Sequence, residues 1–298
     1  MSKLTRSVLV DIELRLKNAG VPSPRFDAES LVAFCLGIER TRVGLVKEID
    51  EDKYRELEKL VEKRVRRIPL QHLLGEQGFR RLVLEVGPGV FIPRPETEIL
   101  VEASVRYLKD LNNERNIVID LCSGSGAIAL AIATEISNSD VYAVEKSSDA
   151  FSYLTKNISN NSQKLIEVNS KVITINSSIR NPIPELEDLK GNVDAVVSNP
   201  PYIPSKMIPR EPEVKEHEPE LALYGGQDGL DLVRLVISQA KKLLKPGGFI
   251  AIEHADVQGS NVEETGVPFL LLESKAFKNV EDRRDLNGLP RYSVGVKI

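Results

Sequence analysis

The chain has 298 residues, of which 41% are hydrophobic and 28% are charged, and its formal net charge is −4. These proportions are typical of a soluble globular protein with room for two domains, and no apolar run approaches the roughly 20 residues that a membrane span needs. The negative balance argues weakly against a protein that works on nucleic acid, where a basic face is the usual footprint.

The first 70 or so residues are predicted to be helical, with short interruptions. The apolar residues of the first helix recur on one broad face: Val8, Leu9, Ile12, Leu14 and Leu16. A second helix is expected over Asp27–Leu36, where Gly37 is well placed as a C-cap, and a charged third helix over Glu51–Arg67. We therefore predict a small all-helical domain over residues 1–74. Its charged N-terminus is not followed by an apolar segment, so we expect no secretory signal.

Residues 75–95 differ in composition from the helical segments before them and are predicted to form a β-hairpin linker. Phe79–Val86 has strand-type composition, and a turn signal at Gly87–Gly89 precedes the extended segment Val90–Ile92. The hairpin is therefore expected to turn at these glycines and to link the helical domain to the rest of the chain.

From residue 96 to residue 298, short apolar segments alternate with helical patterns. The predicted strands are Ile117–Leu121, Val141–Glu145, Lys171–Ile175, Asp194–Ser198 and Phe249–Glu253. Such alternation implies a parallel sheet covered by helices on both faces. Two further β-like segments, Val280–Arg283 and Arg291–Lys297, are joined by a short turn, which forces antiparallel pairing. The predicted fold class is α/β, with a Rossmann-like, seven-stranded mixed sheet whose last two strands form an antiparallel hairpin, as in class I methyltransferases.

A glycine-rich loop follows the first of these strands, and a helix is expected to begin after it. In an open α/β sheet, ligands bind at the carboxyl ends of the strands, where a helix N-terminus offers unpaired N–H groups. A tight turn between a strand and a helix also needs glycine, so the loop alone is a weak signal. The candidate cofactor contacts in the loop are Asp120, Cys122, Ser123, Gly124, Ser125 and Gly126.

Glu145 ends the second predicted strand, about 20 residues beyond the loop, where an acidic side chain accepts the two ribose hydroxyls of a nucleoside. The competing interpretation is a carboxylate that caps the next helix. Together, the loop and Glu145 predict a bound nucleoside without separating NAD from S-adenosylmethionine. Asp120 could accept a hydrogen bond from the methionine amino group, which NAD lacks.

The fourth predicted strand runs directly into Asn199-Pro200-Pro201-Tyr202, at the ligand-binding edge of the sheet. The two prolines fix φ and remove two backbone donors, so the carbonyl groups are held rigidly. The Asn199 Oδ1 atom and the Pro200 carbonyl can each accept one hydrogen of an NH₂ group, while Tyr202 packs against its planar face. This arrangement favours methylation of an amide or amine nitrogen, because positioning and preorganised acceptors supply much of the rate. The alternative is an ordinary proline-rich loop.

Metal and disulfide sites are not expected. The two cysteines lie far apart, and no ligand pairs have the spacing of a zinc site. The three histidines, His72, His217 and His254, are scattered along the chain. We therefore expect a reduced, cytoplasmic protein that holds no metal.

These segments resemble the HemK/PrmC family of protein-(glutamine-N(5)) methyltransferases, over nearly the whole chain. Asp120–Ala129 is similar to the family's cofactor loop, and Ser198–Ile203 is similar to its catalytic motif. Two further blocks, Ile92–Glu98 and Glu218–Leu230, separate this family from DNA adenine methyltransferases, which share only the shorter Asn-Pro-Pro-Tyr signature.

The resemblance implies that S-adenosylmethionine is the cofactor and that the methyl group goes to the glutamine of the Gly-Gly-Gln motif in class I peptide chain release factors. It implies that Asn199, Pro200 and Tyr202 are catalytic, that Asn199–Tyr202 holds the glutamine, and that the helical domain docks the release factor. The cofactor contacts that it implies are residues 122–126, Glu145 and Asn199. Glu96 and Thr97 are expected near the methionine end.

Three positions depart from the family pattern. Cys122 stands where glycine is frequent, and Glu145 stands where aspartate is common, but both keep the chemistry that is needed. Asn176–Ile179 replaces an acidic-aromatic pair that often lines the adenine pocket. Ile179 is therefore the adenine contact that this sequence offers.

Three other functions fit parts of the sequence. A sister enzyme that methylates a glutamine of a ribosomal protein would differ mainly in its docking surface. An N6-adenine nucleic-acid methyltransferase would need a target-recognition insert and a basic groove, which the length and the charge do not supply. A binding module without catalysis is disfavoured by the intact run Asn199–Tyr202. We expect a cytoplasmic monomer whose partners are release factors, with no direct nucleic-acid or membrane contact.

Overall fold

The computed structural model describes residues 2–259 and 266–298. The chain divides into two compact units, one made of residues up to Glu76 with Pro209–His217, and the other of Gln77–Ile208 with Glu218–Ile298. This division differs from the boundaries expected from the sequence, because residues 77–95 belong to the second unit and Pro209–His217 belongs to the first. In the described ranges, no helix has both the length and the apolar character of a membrane span.

The regular elements are numbered in chain order. The helices are α1 (Thr5–Asn18), α2 (Pro24–Leu36), α3 (Glu51–Val65), α4 (Leu70–Leu74), α5 (Pro95–Leu111), α6 (Ala127–Glu135), α7 (Ser148–Asn160), α8 (Ser162–Glu167), α9 (Pro212–His217), α10 (Glu220–Leu223), α11 (Asp231–Leu243) and α12 (Val267–Glu273). The strands are β1 (Lys3–Leu4), β2 (Glu48–Ile49), β3 (Glu76–Phe79), β4 (Leu82–Glu85), β5 (Asn116–Leu121), β6 (Ser139–Glu145), β7 (Lys171–Asn176), β8 (Val193–Ser198), β9 (Leu244–Glu253), β10 (Phe277–Arg284) and β11 (Pro290–Lys297).

The first unit is helical, as predicted, apart from the two-residue antiparallel pair β1–β2. Four of the five apolar residues predicted to face inward from α1 are buried, but Leu14 is 55% exposed because it lies on the opposite side of the helix. Gly37 ends α2 with a φ of 65°, which confirms the predicted C-cap.

A buried ion-pair cluster explains why Pro209–His217 groups with the helices. The Arg64 guanidinium donates to Asp27 at 2.7 Å and to Glu213 of α9 at 2.8 Å. Arg67 also donates to Glu213, through Nε, at 2.7 Å. Because Asp27 and Arg64 are both buried, each needs a charged partner. The cluster therefore ties α9 to the helices of the first unit.

The predicted hairpin turns at a different place. Strands β3 and β4 pair with each other, so the strand predicted over Phe79–Val86 is broken at Arg80, and no strand forms over Val90–Ile92. Arg80 has a φ of 51°, and its backbone N–H donates to the Glu98 carboxylate. Its guanidinium also pairs with Glu135, whose side chain is 9% exposed. Tertiary ion pairs therefore hold a turn that lacks the glycine on which the sequence rule depends.

The second unit contains the predicted seven-stranded sheet, in the order β10-β11-β9-β8-β5-β6-β7. Strands β9, β8, β5, β6 and β7 are parallel, and β11 runs antiparallel to both β9 and β10. Apolar clusters cover both faces of the sheet. The fold class predicted from the sequence is confirmed, and the carboxyl ends of β5, β6 and β8 meet at one edge.

Candidate active site

One cavity of about 250 Å³ lies at this edge of the sheet. Of the residues predicted for the site, its lining includes Cys122, Ser123, Gly124, Ser125, Glu145, Ile179, Asn199, Pro201 and Tyr202. Three other predicted residues, Asp120, Gly126 and Pro200, do not line it. The sequence therefore brings two distant segments, the glycine loop after β5 and the proline corner after β8, to one cavity.

The glycine loop depends on left-handed backbone at three alternate positions. Cys122, Gly124 and Gly126 have φ values of 66°, 56° and 86°. A Cβ at Gly126 would lie 2.5 Å from Leu154 Cδ1, so a side chain there would force the buried Leu154 side chain to move. Among the described residues, a Cβ at Gly124 would meet no atom within 4 Å, which leaves space for a ligand beside the backbone. The loop then turns directly into α6, whose N-terminus favours an anion.

Glu145 holds the loop and the start of α7 together. Its Oε2 atom accepts from the Gly124 N–H at 2.8 Å, and its Oε1 atom accepts from the Ser147 N–H at 2.7 Å. Ser147 is the N-cap of α7, so the helix-capping interpretation describes part of what this carboxylate does. An ionised carboxylate has about four lone-pair sites. Glu145 therefore keeps acceptor capacity toward the cavity that it lines.

Asp120 lies at the end of β5, behind the glycine loop. Its side chain is fully buried, and its Oδ2 atom accepts from the Ala129 N–H at 3.2 Å. Within residues 2–259 and 266–298, the Oδ1 atom has no hydrogen-bond partner. Burial raises the pKa of Asp120 to about 7. This buried carboxyl group, with one oxygen bonded and the other available, suits a cationic or N–H donor. The contact with an amino group that the sequence predicts stays a prediction.

The proline corner is fixed by backbone contacts with the segment that follows it. The Ile203 N–H donates to Leu223 O at 2.8 Å, and the Gly225 N–H donates to Ile203 O at 2.9 Å. A Cβ at Gly229 would lie 2.1 Å from Tyr202 O, so only glycine fits there. The block that continues from Glu218 to Leu230 therefore forms the support on which Asn199–Tyr202 rests.

Side-chain hydrogen bonds behind the cavity fix the same corner, and the sequence did not indicate them. Asn199 Nδ2 donates to Thr97 Oγ1 at 3.2 Å, and Thr97 Oγ1 donates to Glu253 Oε2 at 2.7 Å. Tyr202 Oη donates to Glu253 Oε1 at 3.2 Å. Burial raises the pKa of Glu253, and burial beside this carboxylate raises the pKa of Tyr202. Glu253 ends a buried strand, as Glu145 does, and that position was the available signal.

The two remaining sequence blocks also reach the cavity. Arg94 pairs with Glu218 and lies over the Phe91 ring, 4.9 Å from its centroid. Residues that line the cavity from these blocks are Pro93, Thr97, Pro219, Leu221, Ala222, Leu223 and Tyr224, and Phe91 lines it from the position just before the first block. Glu96, expected near Thr97 in the site, is not among the lining residues. All four segments that the sequence singled out therefore reach the cavity, together with residues outside them such as Gly89, Ser147 and Ala150.

The chemistry of the cavity is that of a binding and positioning site. Burial, together with Glu145 and Asp120, raises the pKa of the Cys122 thiol, so this cysteine stays protonated and is a poor nucleophile. In the part of the chain that the structure describes, no three His, Cys, Asp or Glu side chains are grouped to hold a metal ion. The wall instead offers backbone N–H groups, one acidic side chain and amide and carbonyl acceptors.

Two family models match the chain. Residues 7–75 match the PrmC N-terminal domain, and residues 100–218 match the TRM5/TYW2 methyltransferase domain. The first match covers most of the helical unit, and the second covers the glycine loop and the proline corner.

Curated relatives match over the whole length. The chain is 42% identical to the release factor glutamine methyltransferase of Streptomyces coelicolor, over 95% of this chain and 94% of that protein. It is 41% identical to the release factor glutamine methyltransferase of Mycolicibacterium smegmatis, over 95% and 94% of the two chains.

Among solved structures, the 16S rRNA N2 methyltransferase of T. thermophilus in complex with AdoMet and guanosine is similar with a TM-score of 0.51. The similarity covers 75% of this chain and 50% of that chain at 19% identity. At that identity the likeness shows a shared fold.

Proposed function

This chain belongs to the family of release factor glutamine methyltransferases, and we propose that it transfers a methyl group from S-adenosylmethionine to the amide nitrogen of a release factor glutamine. The acceptor is the glutamine of the Gly-Gly-Gln motif, and the reaction supports translation termination. The observation that carries this proposal is that Gly124 and Glu145 line the same cavity as Asn199 and Tyr202. We call Cys122–Gly126 with Glu145 the cofactor wall and Asn199–Tyr202 the acceptor wall. Group transfer between two bound molecules requires two such walls that share one cavity.

The residues of the cofactor wall fit S-adenosylmethionine. When bound, S-adenosylmethionine supplies an electrophilic methyl group on a sulfonium. Glu145 has acceptor capacity for the ribose hydroxyls, and the loop from Cys122 to Gly126 leads into the helix N-terminus that favours the carboxylate. The Asp120 Oδ1 atom, which has no hydrogen-bond partner among the described residues, suits the methionine ammonium group, and buried Ile179 offers an apolar wall for adenine.

The residues of the acceptor wall fit a glutamine side chain. An amide nitrogen is a poor nucleophile because its lone pair is delocalised, so orientation has to supply much of the rate. The Asn199 Oδ1 atom accepts one N–H of the substrate amide, and Tyr202, which also lines the cavity, packs against its plane. The second N–H is assigned to the Pro200 carbonyl, although Pro200 itself is not among the lining residues. These acceptors stabilise the positive charge that develops on the N–H groups as the nitrogen gains the methyl group. The bond between the methyl group and sulfur would break as the bond to nitrogen forms, which would leave the sulfonium as a neutral thioether. One of the two amide protons then passes to solvent, which gives a neutral N-methyl amide.

The division of labour between the segments is part of the proposal. The helical domain, residues 1–74, docks the release factor, residues 75–95 act as the linker, and residues 96–298 carry the transfer. The match of residues 7–75 to the PrmC N-terminal domain supports a docking role for the helices. We further propose that the protein works as a cytoplasmic monomer, with no direct nucleic-acid or membrane contact.

Mass spectrometry of candidate acceptors tests the proposal. The full-length protein is incubated with isotopically labelled S-adenosylmethionine and, separately, with a class I release factor, its Gly-Gly-Gln→Gly-Gly-Ala variant, ribosomal proteins and duplex DNA. We expect one labelled methyl group on the motif glutamine and none on the variant. Label on a ribosomal-protein glutamine alone would reassign the partner, and label on adenine would overturn the assignment.

A further inference from the structure

A chain of three side chains leads from the interior of the fold to the acceptor wall. Glu253 ends β9 and is 1% exposed, and Thr97, on the first turn of α5, is 3% exposed. Thr97 lies between Glu253 and Asn199, with contacts of 2.7 Å and 3.2 Å on its two sides. Glu253 does not line the cavity, so it acts through its neighbours rather than by touching a ligand.

The chemistry of these groups gives the chain a direction. Both carboxylate oxygens of Glu253 accept hydrogen bonds, one from Thr97 Oγ1 and one from Tyr202 Oη, whereas a hydroxyl group donates one hydrogen bond and accepts others. The single Thr97 hydroxyl proton therefore points to Glu253, and Thr97 Oγ1 can only accept from Asn199. Asn199 must turn its NH₂ group toward Thr97, which leaves its Oδ1 atom on the other side.

That orientation is the one the acceptor wall needs. A carboxamide can turn by half a rotation and exchange its donor and acceptor ends at little steric cost. In the described residues, Asn199 makes this one side-chain hydrogen bond, so Thr97 alone decides which end faces the cavity. Turned the other way, Asn199 would present N–H groups to the N–H groups of a substrate amide, and the two would repel.

We propose that Glu253 is a positioning residue that fixes the orientation of Asn199 through Thr97, so that Oδ1 faces the amide nitrogen to be methylated. The inference rests on the proposed function, because it assumes an acceptor that carries an NH₂ group. A second contact, from Tyr202 Oη to Glu253 Oε1 at 3.2 Å, places the aromatic ring of the same corner. One buried carboxylate thus orients two residues of the acceptor wall.

The Glu253→Gln substitution tests the direction of the chain with little change in volume. Glutamine can donate to Thr97, and Thr97 can then donate to Asn199 Oδ1, which turns the amide around. We expect kcat for release factor methylation to fall on the order of 10²-fold, as when one preorganised group is lost. The affinity for S-adenosylhomocysteine, measured by calorimetry, should stay within about threefold because Glu253 lies off the cavity wall. Glu281→Gln, an exposed glutamate on β10, is the matched control.

Thr97 variants separate this role from simple support of the fold. Thr97→Ser keeps the hydroxyl group and should restore most of the rate, whereas Thr97→Val keeps the shape and should lose it. The two contacts of Glu253 are separated by a double-mutant cycle in the Tyr202→Phe background. In that background, kcat of the Thr97→Val variant should fall by less than about a further threefold when Glu253→Gln is added, because both substitutions break the same chain of hydrogen bonds. Multiplicative effects, or a Glu253→Gln kcat within about threefold of wild type, would overturn the inference.

A measurement without substrate makes the test independent of the proposed function. The side-chain amide signals of Asn199 in ¹⁵N NMR spectra are identified by their loss in Asn199→Ala. We expect these signals to shift in Glu253→Gln and Thr97→Val and to be retained in Thr97→Ser. Unchanged signals in the first two variants would refute the inference even if release factors are methylated. A wild-type protein that leaves release factors unmodified, while the signals shift as expected, would refute only the proposed function.

Discussion

The two walls of the cavity are built by different means. The cofactor wall is a short run of chain, Cys122–Gly126, whose shape follows from left-handed backbone and from the Glu145 carboxylate 21 positions away. The acceptor wall, Asn199–Tyr202, is held by residues from distant parts of the chain, including Thr97 and Glu253. The first wall therefore needs one side chain 21 positions away, whereas the second needs side chains 102 and 51 positions away.

The difference predicts how each wall responds to substitution. Backbone N–H groups remain when a side chain is changed, so a single substitution in the cofactor wall should remove only part of the affinity for S-adenosylmethionine. The acceptor wall depends on a few side-chain atoms in one orientation, so the loss of one should cost most of the rate. The four tests below run from the largest expected effect to the smallest.

The Asn199→Ala substitution removes an acceptor that is used mainly on the group that receives the methyl. We expect kcat to fall on the order of 10³-fold while S-adenosylmethionine affinity stays nearly unchanged. Single-turnover transfer and calorimetric titration measure the two quantities. Asn192→Ala, at an exposed position before β8, is the control. Turnover at the wild-type rate in Asn199→Ala would remove this residue from the mechanism.

The Gly229→Ala substitution disturbs the acceptor wall indirectly, because Gly229 belongs to the block Glu218–Leu230 on which that wall rests. A Cβ there would lie 2.1 Å from Tyr202 O and 2.6 Å from Gln258 Nε2, so the proline corner has to move. We expect kcat to fall by about 10²-fold, since small misplacements of reacting groups are costly. Gly288→Ala is a close control, because Gly288 has the same φ of 78° but no atom within 4 Å of the new Cβ. Equal activity loss in both variants would show that backbone strain, rather than the contact with Tyr202, causes the effect.

The Glu145→Ala substitution tests the cofactor wall. It removes acceptors for the Gly124 and Ser147 N–H groups as well as for a ribose, so we expect S-adenosylmethionine affinity to fall about tenfold or more. The kcat at saturating cofactor should change less than the affinity. Glu145→Gln keeps one carbonyl acceptor and should give an intermediate dissociation constant. A titration in which Glu145→Ala binds as tightly as wild type would exclude Glu145 from the cofactor site.

The Asp120→Asn substitution has the smallest expected effect, and it is seen in stability. Burial raises the pKa of Asp120 to about 7, whereas the unfolded chain has an ordinary aspartate. The folded state therefore binds more protons between about pH 4 and pH 7, and the wild type loses stability as the pH rises through that window. Asparagine does not ionise, so the variant does not lose this stability. The free energy of unfolding of the variant, relative to that of the wild type, should therefore be higher at pH 8 than at pH 5 by on the order of 1 kcal/mol. Urea unfolding at the two pH values measures this difference, and a pH-independent difference would contradict the raised pKa.

Much of the fold could be predicted from the sequence because the patterns that indicate it are local. Alternation of apolar strands with helices predicted the parallel part of the sheet, and the short Asn287-Gly288 connection predicted the antiparallel end. The hairpin at residues 76–85 was mispredicted for the opposite reason. Its turn contains Arg80 in a left-handed conformation, held by Glu98 and Glu135 from other elements.

The same division applies to the site. By itself, the sequence determined which segments carry chemistry, since residue type and position identify a glycine loop and a proline corner at the ends of strands. Only the tertiary structure decided that Asp120 lies behind the cavity and that Glu253 stands behind Asn199. The physical reason is that hydrogen-bond direction depends on which donors and acceptors meet. Thr97 meets Asn199 across a separation of 102 residues and Glu253 across a separation of 156 residues, which no local pattern records.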